Sequence, residues 1–204
     1  MSCDSVVVLD FETSGMSPDY GDRAIEIGAV RVSGGVITDE FQCLMNPGFR
    51  VNGFIEDFTG IDNEMLAEAP SCEKVMADFH QFLGDDNLVA HNASFDKRFL
   101  DAEFRRIHKS YDGRFACSML LARRIYQDAP NHKLGTLVNY RNIQHEGVFH
   151  RALADAQMTA KLWLAMIEDM GEQYQCWDLP FSMLEKINKT PKKSVAKLLM
   201  SHGS

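Results

Sequence analysis

Val6-Val7-Val8-Leu9-Asp10-Phe11-Glu12 is the stretch from which the fold of this chain can be worked out. Three β-branched residues and a leucine run without a polar break, so Ser5 to Phe11 reads as a buried strand that delivers a carboxylate, Asp10, at its C-terminal end. Outward from it, Ser14 to Asp22 holds Gly15, Pro18 and Gly21 and reads as a loop. Ala24 to Val32 is a second strand, and Gly34-Gly35 marks a hairpin into a third. There Ile37, Phe41, Cys43 and Met45 alternate with polar residues, which predicts one wet face.

The pattern then changes. Ser71 can cap a helix whose apolar positions are Val75, Met76, Phe79, Phe82 and Leu83. Asn87 to His91 is a short strand. Ser94 can cap a helix through Ile107, with Phe95, Phe99, Leu100 and Phe104 on its inner side. Arg114 to Ala116 adds a fifth strand, followed by a helix through Tyr126, another over Lys133 to Tyr140, and a long one over Arg151 to Met170. Three antiparallel strands followed by strands alternating with helices predict an α/β fold: a mixed five-stranded sheet flanked by helices.

At 204 residues and 45% hydrophobic content the chain can bury one domain. No apolar run approaches the ~18 residues needed to span a bilayer, and the N-terminus lacks the form of a secretory signal, so no membrane association is expected. Cys3, Cys43, Cys72, Cys117 and Cys176 are scattered, odd in number and without a C-x-x-C pair, which predicts reduced thiols and a cytoplasmic protein. The net charge of −8 argues against a protein that grips long stretches of nucleic acid backbone. It leaves room for one that meets a strand end through bound cations.

Three short stretches carry the chemistry. Asp10 and Glu12, two apart on a strand, leave the same face about 7 Å apart at Cα, close enough to share an ion. Asp96 falls in the first turn of a helix and Asp155 near the start of the long one, with His150 in the loop before it. Each has a bland account when taken alone: a turn cap, a carboxylate favoured by the helix dipole, an exposed histidine. Four carboxylates packed into one site would repel and raise each other's pKa unless cations neutralised them. Oxygen ligands without cysteine suit Mg²⁺ or Mn²⁺, and two such ions ~3.5–4 Å apart are the machinery of phosphodiester hydrolysis. A histidine neutral near pH 7 is a suitable base for the attacking water. Glu26, in an apolar strand, reads as a structurally satisfied residue, because an unpaired charge there would be costly. His91, at a strand end, reads as a core histidine.

These motifs, together with Ile25-Glu26-Ile27-Gly28-Ala29-Val30, His91-Asn92-Ala93-Ser94-Phe95-Asp96, Leu134-Gly135-Thr136-Leu137 and His150-Arg151-Ala152-Leu153-Ala154-Asp155-Ala156, make the chain from Val6 to Ile167 resemble the DEDDh 3′–5′ exonucleases. The resemblance implies an RNase H-like fold and two Mg²⁺ or Mn²⁺ ions. Asp10 would bridge both, Glu12 and Asp155 would serve the catalytic one, Asp96 would hold the other through water, and His150 would be the base. It further implies that Thr13, Asn92 and the stretch Thr59-Gly60-Ile61 receive the terminal nucleotide. Phe58-Thr59 stands where a histidine-containing stretch is frequent in the family, which bears on substrate preference. The implied partner is the 3′ end of a single strand, DNA ahead of RNA, with RNA or short oligonucleotides as the alternative.

Residues 171–204 carry five lysines and three acids. They read as a helical extension packed on an exonuclease domain of residues 1–170. The competing expectation is a docking element for a DNA polymerase or clamp.

Overall fold

A computed structural model describes residues 5–144 and 151–202. Its single sheet has five strands: β1 (Val6–Thr13), β2 (Ala24–Ser33), β3 (Val36–Leu44), β4 (Asn87–Ala90) and β5 (Phe115–Cys117), in the spatial order β3-β2-β1-β4-β5. β1, β2 and β3 pair antiparallel, whereas β4 and β5 join parallel to β1 and to each other. This is the mixed sheet expected from the sequence, with β1 at its centre. Gly34 and Gly35 both have positive φ, as a two-residue hairpin turn between twisted strands requires. The inner positions of β3 are half-buried and the rest exposed, in keeping with its edge position and alternating pattern.

Side-chain alternation along β1 sorts the core into two layers. Val7, Leu9 and Phe11 pack against α3 (Cys72–Leu83) and α4 (Ser94–Arg106) through Met76, Phe79, Phe99 and Leu100. Val6 and Val8 face the other way, onto α5 (Ser118–Ile125) and α7 (Ala152–Tyr174), where Leu121, Leu162, Trp163 and Met166 are buried. Asp10 and Glu12 continue the Val6–Val8 side, toward α7. The strand that organises the hydrophobic core therefore also carries two acids to the beginning of a helix.

Several boundaries differ from the sequence reading. Ser71 caps α3, accepting from the Lys74 N–H, but Ser94 lies inside α4 and makes no cap. The fifth strand is shifted to Phe115–Cys117, and α7 runs on to Tyr174. Two further helices, α1 (Gly53–Thr59) and α2 (Asn63–Glu68), occupy a region the sequence left unassigned; Asn52 and Asp62 cap them. They are too short to display a helical period, so their caps are their only local signature. Between α5 and α7 lies α6 (Leu134–Tyr140), and after α7 come α8 (Phe181–Lys189) and α9 (Lys192–Met200). Phe181, Leu184, Ile187, Val195 and Leu199 of this last segment are buried in the same apolar layer as Trp163. No helix among the described residues is long and apolar enough to cross a membrane.

Candidate active site

Asp10, Glu12 and Asp155 meet at the C-terminal end of β1. One carboxylate oxygen from each lies within 4.8 Å of the others, although 145 residues separate the first from the last. Asp155 sits in the first turn of α7, where its own N–H bonds to the Arg151 carbonyl. Asp96, in the first turn of α4, is 2% exposed and approaches from the other side of β1. The parallel pairing of β1 with β4 ends at Val8–Val89. Beyond that point the Asp96 carboxylate takes over, its Oδ1 accepting the Phe11 N–H at 3.2 Å. The fourth acid is thus tied to the amide lying between the first two.

The electrostatics match this crowding. Burial pushes the Asp10 carboxyl well above the usual carboxylate range, and Asp96, Glu12 and Asp155 add to the rise. Glu12 is pushed up to about 8 by burial, then by Asp155, Glu26 and Asp96. Asp96 is raised to about 7 by burial, against which the Phe11 and Asp96 amides pull downward. No arginine or lysine is bonded to these three acids in the described hydrogen bonds. A cluster of oxygens that ionises so reluctantly by itself is suited to a divalent cation, which supplies the missing positive charge.

Glu26 is fully buried and answered on all sides. Its Oε1 accepts from Gln42 Nε2 and Arg151 Nη2, each at 2.9 Å, and its Oε2 accepts from the Ala152 N–H at 3.1 Å and Arg151 Nε at 3.3 Å. It is satisfied, as its apolar strand requires, and so is His91. The ring of His91 bonds Ser118 Oγ at 2.8 Å and the His132 carbonyl at 2.9 Å, and burial holds its pKa down to about 4. Four basic residues of α4, Lys97, Arg98, Arg105 and Arg106, follow Asp96, and two of them are engaged, Lys97 with Asp101 and Arg106 with Glu103.

The residues expected to receive a nucleotide are more dispersed. Thr13 follows Glu12 past a β-bulge, and its hydroxyl donates to the Gly15 carbonyl at 2.7 Å. Asn92 is exposed with φ of 67° in the turn between β4 and α4. Thr59 Oγ1 donates to the Ile55 carbonyl and accepts the Ile61 N–H. Thr59 and Ile61 are buried, and Ile61 packs beside Ile25, Val51 and Leu66, leaving Gly60 as the exposed member of that trio. Next to it Phe54 and Phe58 are exposed and stack on each other, ring centroids 5.9 Å apart. His150 falls outside the described residues.

The sequence profile of the exonuclease family matches residues 7–163, a span that contains all four acids and His150. The chain belongs to the exonuclease family. It is 31% identical over 184 residues to the DNA polymerase III subunit epsilon of Aquifex aeolicus, covering 90% of this chain and 89% of that exonuclease-family relative. It is 39% identical over 175 residues to the PolC-type DNA polymerase III of Bacillus subtilis, covering 83% of this chain but 12% of that much longer protein. Among solved structures, exonuclease X in complex with 5′ overhanging duplex DNA superposes with a TM-score of 0.72 at 26% identity, over 90% of this chain and 99% of that one. The nuclease domain of 3′hExo, a DEDDh family member bound to rAMP, has a TM-score of 0.66 over 81% of this chain and 92% of that one; at 20% identity it shares the fold. The five-stranded sheet is thus the RNase H-like sheet of these exonucleases.

Proposed function

We propose that the protein is a 3′–5′ exonuclease that depends on divalent metal, hydrolyses the terminal phosphodiester bond of single-stranded DNA and releases 5′-mononucleotides. The observation that carries this reading is the convergence of Asp10, Glu12 and Asp155 within 4.8 Å, with Asp96 bonded to the amide between the first two. All four donors are hard oxygens, which fits Mg²⁺ or Mn²⁺. Two such ions would bind the scissile phosphate, lower the pKa of the attacking water and stabilise the leaving 3′ oxygen.

The chain's own contribution is placement. Asp10, Glu12 and Asp155 would hold the catalytic metal, with Asp10 also serving a second ion that Asp96 would support through water. His150 accepts the proton of the attacking water. Thr13, Asn92, Thr59, Gly60 and Ile61 receive the 3′-terminal nucleotide. DNA is favoured over RNA because the relatives are named as DNA polymerase III proteins and exonuclease X was solved with DNA. The same names support a DNA polymerase as partner and a cytoplasmic setting. Residues 1–170 form the nuclease unit in this reading and residues 171–204 an extension of it; the burial of Phe181, Leu184 and Leu199 supports packing over docking for that tail.

The test uses end-labelled single-stranded DNA, duplex DNA and RNA oligonucleotides with Mg²⁺ or Mn²⁺. Mononucleotides released from the 3′ end of single-stranded DNA, and lost in Asp10→Ala and His150→Ala, are expected. All substrates remaining intact with either metal would overturn the reading. Faster cleavage of RNA would replace its substrate half.

A further inference from the structure

The three carboxylates that meet within 4.8 Å sit on two elements, β1 and α7, and something must set the distance between those elements. β2 touches both. The residue paired with Glu12 in the β1–β2 register is Glu26, and the residue paired with Asp10 is Gly28. Each of these partners also contacts the first turn of α7. Glu26 accepts the Ala152 N–H and grips Arg151 at two points. Gly28 lies so close to the helix that an added Cβ would fall 2.0 Å from the Leu153 nitrogen. Arg151, the residue capping α7, makes no side-chain cap of its own, so the Glu26 carboxylate performs that task from another strand. It satisfies one of the amides that a helix start leaves open.

We propose that Glu26 is a positioning residue for the metal site: with Gly28, it fixes the depth and rotation of the start of α7, and so the place of Asp155 against Asp10 and Glu12. A buried ion pair adds little net stability over apolar residues of the same volume, whereas a hydrogen bond onto a helix end sets its geometry. The inference rests on the proposed metal-dependent chemistry.

The test compares Glu26→Gln with Glu103→Gln. Glu103 is likewise buried and bonded to arginine and to a backbone amide, but it takes no part in the site. Mn²⁺ binding is measured by calorimetry, alongside kcat and KM on single-stranded DNA and the melting temperature of each metal-free protein. Glu26→Gln should weaken Mn²⁺ binding by about 10–100-fold and lower kcat with KM little changed, in the range seen when residues supporting metal ligands are altered. Glu103→Gln should lower the melting temperature and leave Mn²⁺ affinity within about twofold of the parent, because it lies outside that supporting shell. Equal Mn²⁺ affinity in both variants, with cleavage by the parent intact, overturns the positioning role. A parent that neither binds Mn²⁺ nor cleaves DNA instead overturns the functional reading beneath it. Should Glu26→Gln fail to fold, Arg151→Gln, at a half-exposed side chain, is expected to show the same loss of Mn²⁺ affinity to a smaller degree, and unchanged affinity there overturns the role equally.

Discussion

Glu103 and the Asp10–Glu12–Asp155 cluster are both acidic groups withdrawn from water, and they are resolved in opposite ways. Glu103, 1% exposed on α4, receives Arg23 through two nitrogens at 2.8 and 2.9 Å and Arg106 at 3.2 Å. It also accepts the Ala24 N–H at 3.4 Å. Its countercharge comes from the chain, and the result ties α4 to the start of β2. The cluster at the end of β1 gathers three acids with Asp96 beside them, and the carboxyls of Asp10, Glu12 and Asp96 are all pushed upward. A buried acid answered by arginines is scaffold, whereas acids crowded until their carboxyls are pushed upward are suited to a cation from outside.

The sharpest way to break this contrast is to remove a charge from each side. Asp10→Asn should lower DNA hydrolysis by roughly 10³-fold or more, since in the proposed reading it removes a metal ligand and with it several kcal/mol of transition-state stabilisation. The metal-free variant should melt no lower than the parent at pH 8, because a repulsion has been relieved. Glu103→Ala should do the reverse: roughly 3 kcal/mol or more of stability lost in chemical denaturation, as for breaking a buried ion pair from one side, with kcat retained below the new melting range. If Asp10→Asn destabilises the protein as much as Glu103→Ala, the two regions are not different in kind.

A pH series sharpens the same comparison. Glu12 and Asp96 titrate near 8 and 7 in the folded protein, against 4.5 and 3.8 as ordinary carboxyls. Between about pH 4 and 8 the folded state therefore holds protons that the unfolded chain has released, and stability falls as pH rises through that window. The metal-free protein should be roughly 6 kcal/mol less stable at pH 8.5 than at pH 5 if both groups titrate independently, and excess Mn²⁺ should abolish the difference by binding the ionised form. A melting temperature that is flat across the window in metal-free buffer would mean the acids are not held close together. The smallest effect is expected on the surface of α4. Lys97 and Asp101 form an exposed pair one helical turn apart, so Lys97→Gln should cost about 0.5 kcal/mol or less.

Much of this was readable from local pattern. The apolar run Val6–Leu9 marked the central strand, Gly34-Gly35 the hairpin, and the spacing of Val75, Met76, Phe79 and Leu83 the helix beneath Leu9 and Phe11. The motifs around Asp10, Asp96 and Asp155 were legible as candidates because each kept a recognisable neighbourhood. What escaped was either too short or too distant. α1 and α2 have seven and six residues, fewer than a helical period needs to show itself. The bond from Glu26 to Ala152 joins residues 126 positions apart, and no window along the chain reveals it. Gly28 was the available clue, since a glycine inside a strand signals another backbone approaching closely. Ser94 offered a cap that the helix did not use, because α4 begins one residue too early for its hydroxyl to serve.

The distance in sequence between β1 and α7 has a consequence for the order in which the protein is made. β1, β2 and α4 all leave the ribosome before α7, but a domain folds as a unit, and α7 covers one face of this sheet. A nascent chain that stops short of Asp155 already holds Asp10, Glu12, Glu26 and Asp96, yet lacks the third member of the carboxylate trio. Hydrolytic competence would therefore arrive only with α7, and a product truncated before Asp155 would lack both that acid and the helix that buries Val6 and Val8.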